Sequence, residues 1–162
     1  MISSMNQPAN PAGEVEVDGD WKSFVHSTLA LDPCTPVSKV HDSLRALNRN
    51  EAYAAIVESG KPIGIISRTS IGFLLGSKYG HSLFGGKPAH DYMLEQYLCI
   101  RQGMSCRDVL STALSRPDPF FYHDVVLVDR DGAYLGLINV HVLVYLQTSI
   151  LSQTQDKVGS VR

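Results

Sequence analysis

The feature of this sequence that most constrains its fold is an internal repeat of two short apolar segments joined by a glycine-containing turn. The first copy spans residues 54–66 and the second spans residues 125–138. Gly136 in the second copy corresponds to Gly64 in the first, and the same offset superposes the apolar residues around these two glycines. Because short apolar segments on either side of a turn form β-hairpins, the repeat predicts two equivalent hairpins in one chain.

Each predicted hairpin lies between two segments with helical periodicity. We predict Asp42 and Ser105 as N-caps of the leading helices, because their side-chain oxygens accept hydrogen bonds from backbone N–H groups. Ala46 aligns with Ala113, and the sequence distance between these alanines is five residues shorter than that between the two glycines. The second copy is therefore longer by five residues, at the turn-rich segment 116–119. The apolar positions that define the helices are Val40, Leu44, Leu47, Ile71, Leu74 and Leu75 in the first copy, and Val109, Ala113, Leu114, Leu143 and Leu146 in the second.

These patterns predict an α+β protein of two helix-strand-strand-helix repeats packed with pseudo-twofold symmetry. One copy alone has too little apolar surface to close a core, so the two copies must pack against each other. We expect a flexible N-terminal tail at residues 1–20 and a C-terminal tail at residues 152–162, with residues 1–16 lacking persistent structure. The first repeat, with its connector, is predicted at residues 21–93, and the second at residues 94–151.

Composition argues against several classes of function. The chain of 162 residues has 14 basic and 16 acidic side chains and a formal net charge of -2, without a basic run that would neutralise a row of phosphates. Its three cysteines, Cys34, Cys99 and Cys106, have neither the spacing of a zinc site nor an even number for a disulfide framework. No signal peptide is predicted, and the apolar segment 134–151 is interrupted by polar residues. We therefore expect a cytoplasmic protein with reduced thiols that binds no metal, no nucleic acid and no membrane.

At the two hairpins and the helices that follow them, the chain resembles the CBS domain, whose pairs are called Bateman modules. The resemblance is carried by residues 55–68 and 125–138, and it extends from about Asp32 to Gln147. It implies a regulatory or binding module instead of an enzyme. The chain also looks like the CBS pairs found beside bacterial GGDEF (diguanylate cyclase) signalling domains, through residues 66–68 and 79–88 and Met93.

The resemblance further implies a regulatory ligand, because CBS pairs bind adenine nucleotides such as AMP, ADP or ATP in clefts between the repeats. In the family pattern, a glycine permits close approach, a hydroxyl group at a helix start binds phosphate, and a carboxylate accepts hydrogen bonds from ribose. The ligand-binding residues implied in this chain are Tyr53, Ala54, Ser67, Arg68, Thr69, Ser70, His123, Asp124, Asn139 and His141.

The sequence departs from the family pattern in both repeats. Ser70 and Val142 stand where the family has the carboxylate, and Asn139 stands where it has the hydroxyl group. A ligand without ribose-binding carboxylates must be held by charge and backbone donors, so Arg68 is the predicted contact for a phosphate. The sequence leaves open that Ser67 is a helix N-cap and that Arg68 forms a surface ion pair.

Three functions of different classes follow from these observations. The first is allosteric sensing of a small ligand by a homodimer that signals to a partner protein, such as a signalling enzyme in trans, with the dimer contact at the helices around Leu74 and Leu146. The second is a ligand-free dimerisation or docking module. The third is an enzyme, for which Cys106 and His123 are the nucleophile and base that the sequence offers.

Overall fold

The computed structural model describes residues 19–48 and 52–159, which form two three-stranded sheets and the helices that cover them. In each sheet the first strand is parallel to the second, and the second is antiparallel to the third. One sheet contains β1 (Ala30–Leu31), β2 (Tyr53–Glu58) and β3 (Lys61–Ser67), and the other contains β4 (Cys99–Arg101), β5 (Val125–Val128) and β6 (Tyr134–Ile138).

Helices precede and follow each hairpin, so the predicted α+β fold of two helix-strand-strand-helix repeats is confirmed. Each repeat also has a short leading strand, β1 or β4, that was not predicted. Three short 3-10 turns complete the described elements, at Trp21–Phe24, Ala89–Asp91 and Phe120–Tyr122. The α-helices are α1 (Val37–Arg45), α2 (Arg68–Gly76), α3 (Gly80–Phe84), α4 (Cys106–Leu114) and α5 (Val140–Gly159).

The starts of the two leading helices differ in how they are capped. Ser105 caps α4, because its Oγ accepts a hydrogen bond from the backbone N–H of Asp108 at 3.2 Å. The prediction for Asp42 is wrong, since α1 begins after Pro36 and Asp42 lies within the helix. Backbone carbonyls replace a side-chain cap at the start of α1, because the N–H groups of Val37 and Ser38 donate to the carbonyls of Lys87 and Gly85 at 2.8 and 3.0 Å.

The two hairpins are equivalent and lie in separate sheets, which confirms their predicted relation. Ile56 pairs with Gly64 in the first hairpin, and Leu127 pairs with Gly136 in the second. The sequence distance from Gly64 to Gly136 is one residue longer than the sequence distance from Ile56 to Leu127. The second hairpin therefore has one more residue in its turn than the first.

Three apolar clusters hold the chain together, one within each repeat and one between them. Successive side chains of a strand point to opposite faces of its sheet, so one face packs on the repeat's own helices and the other faces the second repeat. The cluster between the repeats joins both sheets and contains the buried residues Ala55, Ile65, Val126, Val128 and Leu137.

The segment that leads into each repeat crosses over to the other repeat. Ser27 pairs with Leu137 on β6, and Leu94, at the equivalent position of the second repeat, pairs with Ile65 on β3. Trp21 is fully buried in the cluster formed by α4, α5 and the second sheet. The first residues of the predicted first repeat, residues 21–93, therefore pack on the second repeat, and the boundary between the repeats stays a prediction.

The C-terminal end of the chain differs from the prediction, and the N-terminal end lies partly outside the described residues. Helix α5 continues to Gly159, so residues 152–159 are helical, although a tail was predicted from residue 152. These residues include no proline, so nothing in the backbone stops the helix before its terminal glycine. The prediction for residues 1–16 falls outside the described part of the chain. Within the described residues, no helix combines the length and the apolar character needed to cross a bilayer.

Candidate ligand-binding cleft

A cavity of about 680 Å³ opens between the two repeats where β3 ends and α2 begins. A second cavity of about 270 Å³ lies beside it and shares Gln96, Phe120 and His123 with it. Together these cavities, here called the cleft, have the size of a site for a small molecule. The larger cavity is lined by Tyr53, Ser67 and Ser70 of the first repeat, by Met93, Leu94, Glu95 and Gln96 of the connector, and by Pro119, Phe120 and His123 of the second repeat.

The start of α2 brings two hydroxyl groups into the cleft. Ser67 is the N-cap of α2, because its Oγ accepts a hydrogen bond from the backbone N–H of Ser70 at 3.4 Å. This confirms the N-cap interpretation of Ser67. Both residues line the cavity, and the first turn of a helix offers further backbone N–H groups to a ligand.

An aromatic wall of the cleft is built around His123. Its ring lies 5.7 Å from the ring of Tyr53 and 5.7 Å from that of Phe120, measured between centroids. The Nδ1 atom of His123 is buried and has no hydrogen-bond partner among the described residues. Burial lowers the pKa of His123, the charge of Arg116 lowers it further, and Asp124 acts in the opposite direction. The imidazole is therefore neutral at pH 7 and offers a flat surface to a ligand.

Arg116 fixes the loop that carries this wall. Its Nε donates to the carbonyl of Ala113 at 2.9 Å, and its Nη2 donates to the carbonyls of Phe121 and His123 at 3.2 and 3.1 Å. Burial lowers the pKa of Arg116, while the neighbouring Asp124 opposes the change. Because these bonds run from the end of α4 to the residues before β5, they hold Phe120 and His123 toward the first repeat.

The structure places Arg68, the predicted phosphate contact, outside the residues that line the cleft. Its Nη2 donates to the carbonyls of Leu44, Leu47 and Asn48 at 2.6, 3.3 and 3.1 Å. The last carbonyls of a helix have no intrahelical donors, so the end of α1 attracts a guanidinium group. The contacts of Arg68 are structural and join the start of α2 to the end of α1.

Two other predicted residues of the first repeat also lie outside the cavity. Ala54 is fully buried in the core of the first repeat, where its small side chain packs beneath the helices. Thr69 is exposed on the first turn of α2 and does not contribute to the cavity wall.

The other three predicted residues of the second repeat, Asp124, Asn139 and His141, do not line the cleft. Asn139 begins α5, where its Oδ1 accepts a hydrogen bond from the backbone N–H of His141 at 2.8 Å. The side chain of His141 is exposed. Asp124 is only 2% exposed and contacts Nε2 of His26 at 2.8 Å. The structure therefore brings together four of the ten predicted residues at the cleft, namely Tyr53, Ser67, Ser70 and His123.

The residues that sequence reasoning missed come from the connector and from the insertion before β5. Met93 to Gln96 enter the cleft because the connector crosses over the first sheet, and Pro119 and Phe120 enter because the inserted turn projects toward the first repeat. The sequence signal for Pro119 and Phe120 was the extra length of segment 116–119, because residues inserted where two repeats meet form a loop that extends from their junction.

The two residues of the pair predicted for an enzyme lie in different surroundings. Cys106 is only 7% exposed and packs in the core of the second repeat, whereas His123 lines the cleft. In residues 19–48 and 52–159, histidine, cysteine and acidic side chains form no group of three or more that could hold a metal ion.

Comparisons with solved structures identify the fold, although no protein-family model and no curated protein matches the sequence. The CBS-pair protein CBSX2 from Arabidopsis thaliana matches with a TM-score of 0.61 and 19% identity over 81% of this chain and 95% of its own. CBSX2 in complex with AMP matches with a TM-score of 0.59 and 18% identity over 80% and 96%. A CBS domain-containing protein from Bacillus anthracis str. Ames Ancestor matches with a TM-score of 0.62 and 13% identity over 79% and 91%.

Proposed function

This chain has the fold of a tandem CBS pair, a Bateman module, and we propose that it is a regulatory module that senses a small ligand. The ligand class we propose contains an adenine nucleoside, as AMP, ADP and ATP do. The observation that carries the proposal is the cleft, whose wall combines Ser67 and Ser70 of one repeat with Phe120 and His123 of the other. The structure of CBSX2 in complex with AMP supports the ligand class.

A ligand in this position touches both repeats, so it favours whichever arrangement of the repeats makes the better contacts with it. A partner protein that binds only one arrangement then responds to the ligand, which is allosteric coupling in the thermodynamic sense. We propose a signalling enzyme in trans as that partner and the cytoplasm as the location. The association with GGDEF enzymes stays a prediction.

The proposal is tested by filling the cleft. Ser70→Trp places a large side chain in the cavity, whereas Thr69→Trp places the same side chain one residue away, on a position that does not line it. We expect calorimetric titration with AMP and ATP to give binding to the parent protein and to Thr69→Trp, and at least tenfold weaker binding to Ser70→Trp. No binding to the parent, or equal losses in both variants, would remove the cleft from the mechanism.

A dimerisation or docking module is the second candidate, and exposed aromatic side chains favour it. Phe73 on α2 is 78% exposed and Tyr145 on α5 is 72% exposed, at equivalent positions of the two repeats. Both residues lie on the helices around Leu74 and Leu146 that were predicted for this contact, whereas Leu146 belongs to the second core and Leu74 packs against the first. We propose that Phe73 and Tyr145 form the contact of a homodimer.

A further inference from the structure

We infer that the cleft selects the base and sugar of a purine nucleoside and gains no affinity from attached phosphates; this inference rests on the proposed function. It follows from which charges face the cleft. Among the described residues that line the larger cavity, none is a lysine or arginine, and Glu95 contributes a carboxylate. A nucleoside triphosphate would bring several negative charges close to that carboxylate.

The two arginines near the cleft are already committed to backbone carbonyls. Arg68 directs its Nη2 to the end of α1 and does not line either cavity. Arg116 lines the smaller cavity, but its Nε and Nη2 donate to the carbonyls that fix the aromatic wall. These bonds hold the guanidinium group of Arg116 against the backbone of the aromatic wall, and the carboxylate of Glu95 in the larger cavity opposes the attraction of its charge for a phosphate. The neutral imidazole of His123 adds no positive charge at pH 7.

The remaining groups of the cleft fit a base and a sugar. The rings of Tyr53, Phe120 and His123 provide flat surfaces for a heterocycle. The hydroxyl groups of Ser67 and Ser70 match the hydrogen-bonding needs of ribose hydroxyls. The start of α2 offers N–H donors to an anion, but the N–H of Ser70 already donates to Ser67.

Titration with adenosine, AMP and ATP at physiological ionic strength tests the inference. We expect adenosine to bind at least as tightly as AMP, and ATP to bind about tenfold more weakly than adenosine. Binding of AMP or ATP that is tenfold tighter than that of adenosine would overturn the inference while leaving the proposed function in place. If none of the three compounds binds, the proposed function fails and the inference fails with it.

A charge reversal in the cleft gives an independent test. Glu95→Lys should strengthen ATP binding by about tenfold relative to adenosine binding, because it replaces a repelling charge by an attracting one. Asp131→Lys makes the same charge change at an exposed turn of the second hairpin, outside the residues that line the cleft, and should leave the ratio unchanged. An unchanged ratio in Glu95→Lys, or an equal change in both variants, would overturn the inference.

Discussion

Two arginine side chains stabilise the backbone at the ends of the leading helices, and they do so from different directions. Arg68 reaches back from α2 to the carbonyls of Leu44 and Leu47 at the end of α1. Arg116 comes from the end of α4 itself and reaches forward to the carbonyl of His123. In both repeats a guanidinium group thus donates to backbone carbonyls at or beyond the end of the leading helix.

This role predicts that Arg68→Ala weakens the fold instead of the ligand contact. Loss of three hydrogen bonds from a charged donor should lower the free energy of unfolding by about 2 kcal/mol, measured by urea denaturation. Arg130→Ala removes the same charge from an exposed turn and should change stability by less than about 0.5 kcal/mol. A variant Arg68→Ala with parental stability but weakened binding of AMP would contradict the structural role.

The contrast between Ser67 and Arg68 explains what can be predicted about the cleft from the sequence. Ser67 has a short side chain whose position follows from the backbone at the helix start, so its place in the cleft could be predicted. Arg68 has a long side chain whose direction depends on acceptors far earlier in the chain, such as Leu44. The same limitation applies to Phe120, which reaches the cleft only because the inserted loop is held by Arg116.

At the scale of elements, local pattern predicted the hairpins and helices, but it did not predict the crossing of the leading segments. The apolar segments of β2 and β3 and the helical spacing along α1 and α2 are properties of continuous sequence, so they could be recognised directly. Strands β1 and β4 have two and three residues, which is too short for a pattern, and their pairing is set by tertiary contacts. The crossing of Trp21 to the second core likewise depends on the packing of the whole chain.

The close contact of the crossing segment with β6 makes Gly136 sensitive to substitution. A Cβ atom at this position would lie 2.3 Å from Cγ1 of Val25 and 3.1 Å from the carbonyl oxygen of Ser27. That carbonyl accepts the hydrogen bond of Leu137 N–H at 2.8 Å, so it cannot move without weakening the pairing. We expect Gly136→Ala to lower the free energy of unfolding by about 1 to 3 kcal/mol, measured by urea denaturation.

Gly72→Ala provides the matched control, because Gly72 lies within α2 and a Cβ atom there would have no neighbour within 4 Å. Alanine has the higher helix propensity, so this variant should gain about 0.5 to 1 kcal/mol. If Gly136→Ala were as stable as Gly72→Ala, the segment around Val25 would not be packed on the second repeat as described.

At the scale of the whole molecule, the two repeats present equivalent exposed aromatic residues on helices that follow equivalent hairpins. Phe73 and Tyr145 are separated by the same offset as the hairpin glycines Gly64 and Gly136. Their exposure does not follow from the needs of either core, since both cores are filled by other residues of the same helices. A contiguous exposed apolar patch marks a contact with another chain, and we propose that Phe73 and Tyr145 belong to such a patch.

We therefore expect the protein to be a homodimer in solution, with Phe73 and Tyr145 at its contact. Phe73→Glu and Tyr145→Glu should each weaken the dimer about thirtyfold or more, because each replaces a buried aromatic contact by a desolvated charge worth about 2 kcal/mol or more. Tyr122→Glu introduces the same charge at an aromatic residue that is 61% exposed but lies outside both helices, and it should leave the dimer intact. Light scattering across a concentration series measures the mass of each variant. A monomeric parent protein at micromolar concentration, or dimers that survive both helix substitutions, would place the contact elsewhere or exclude it.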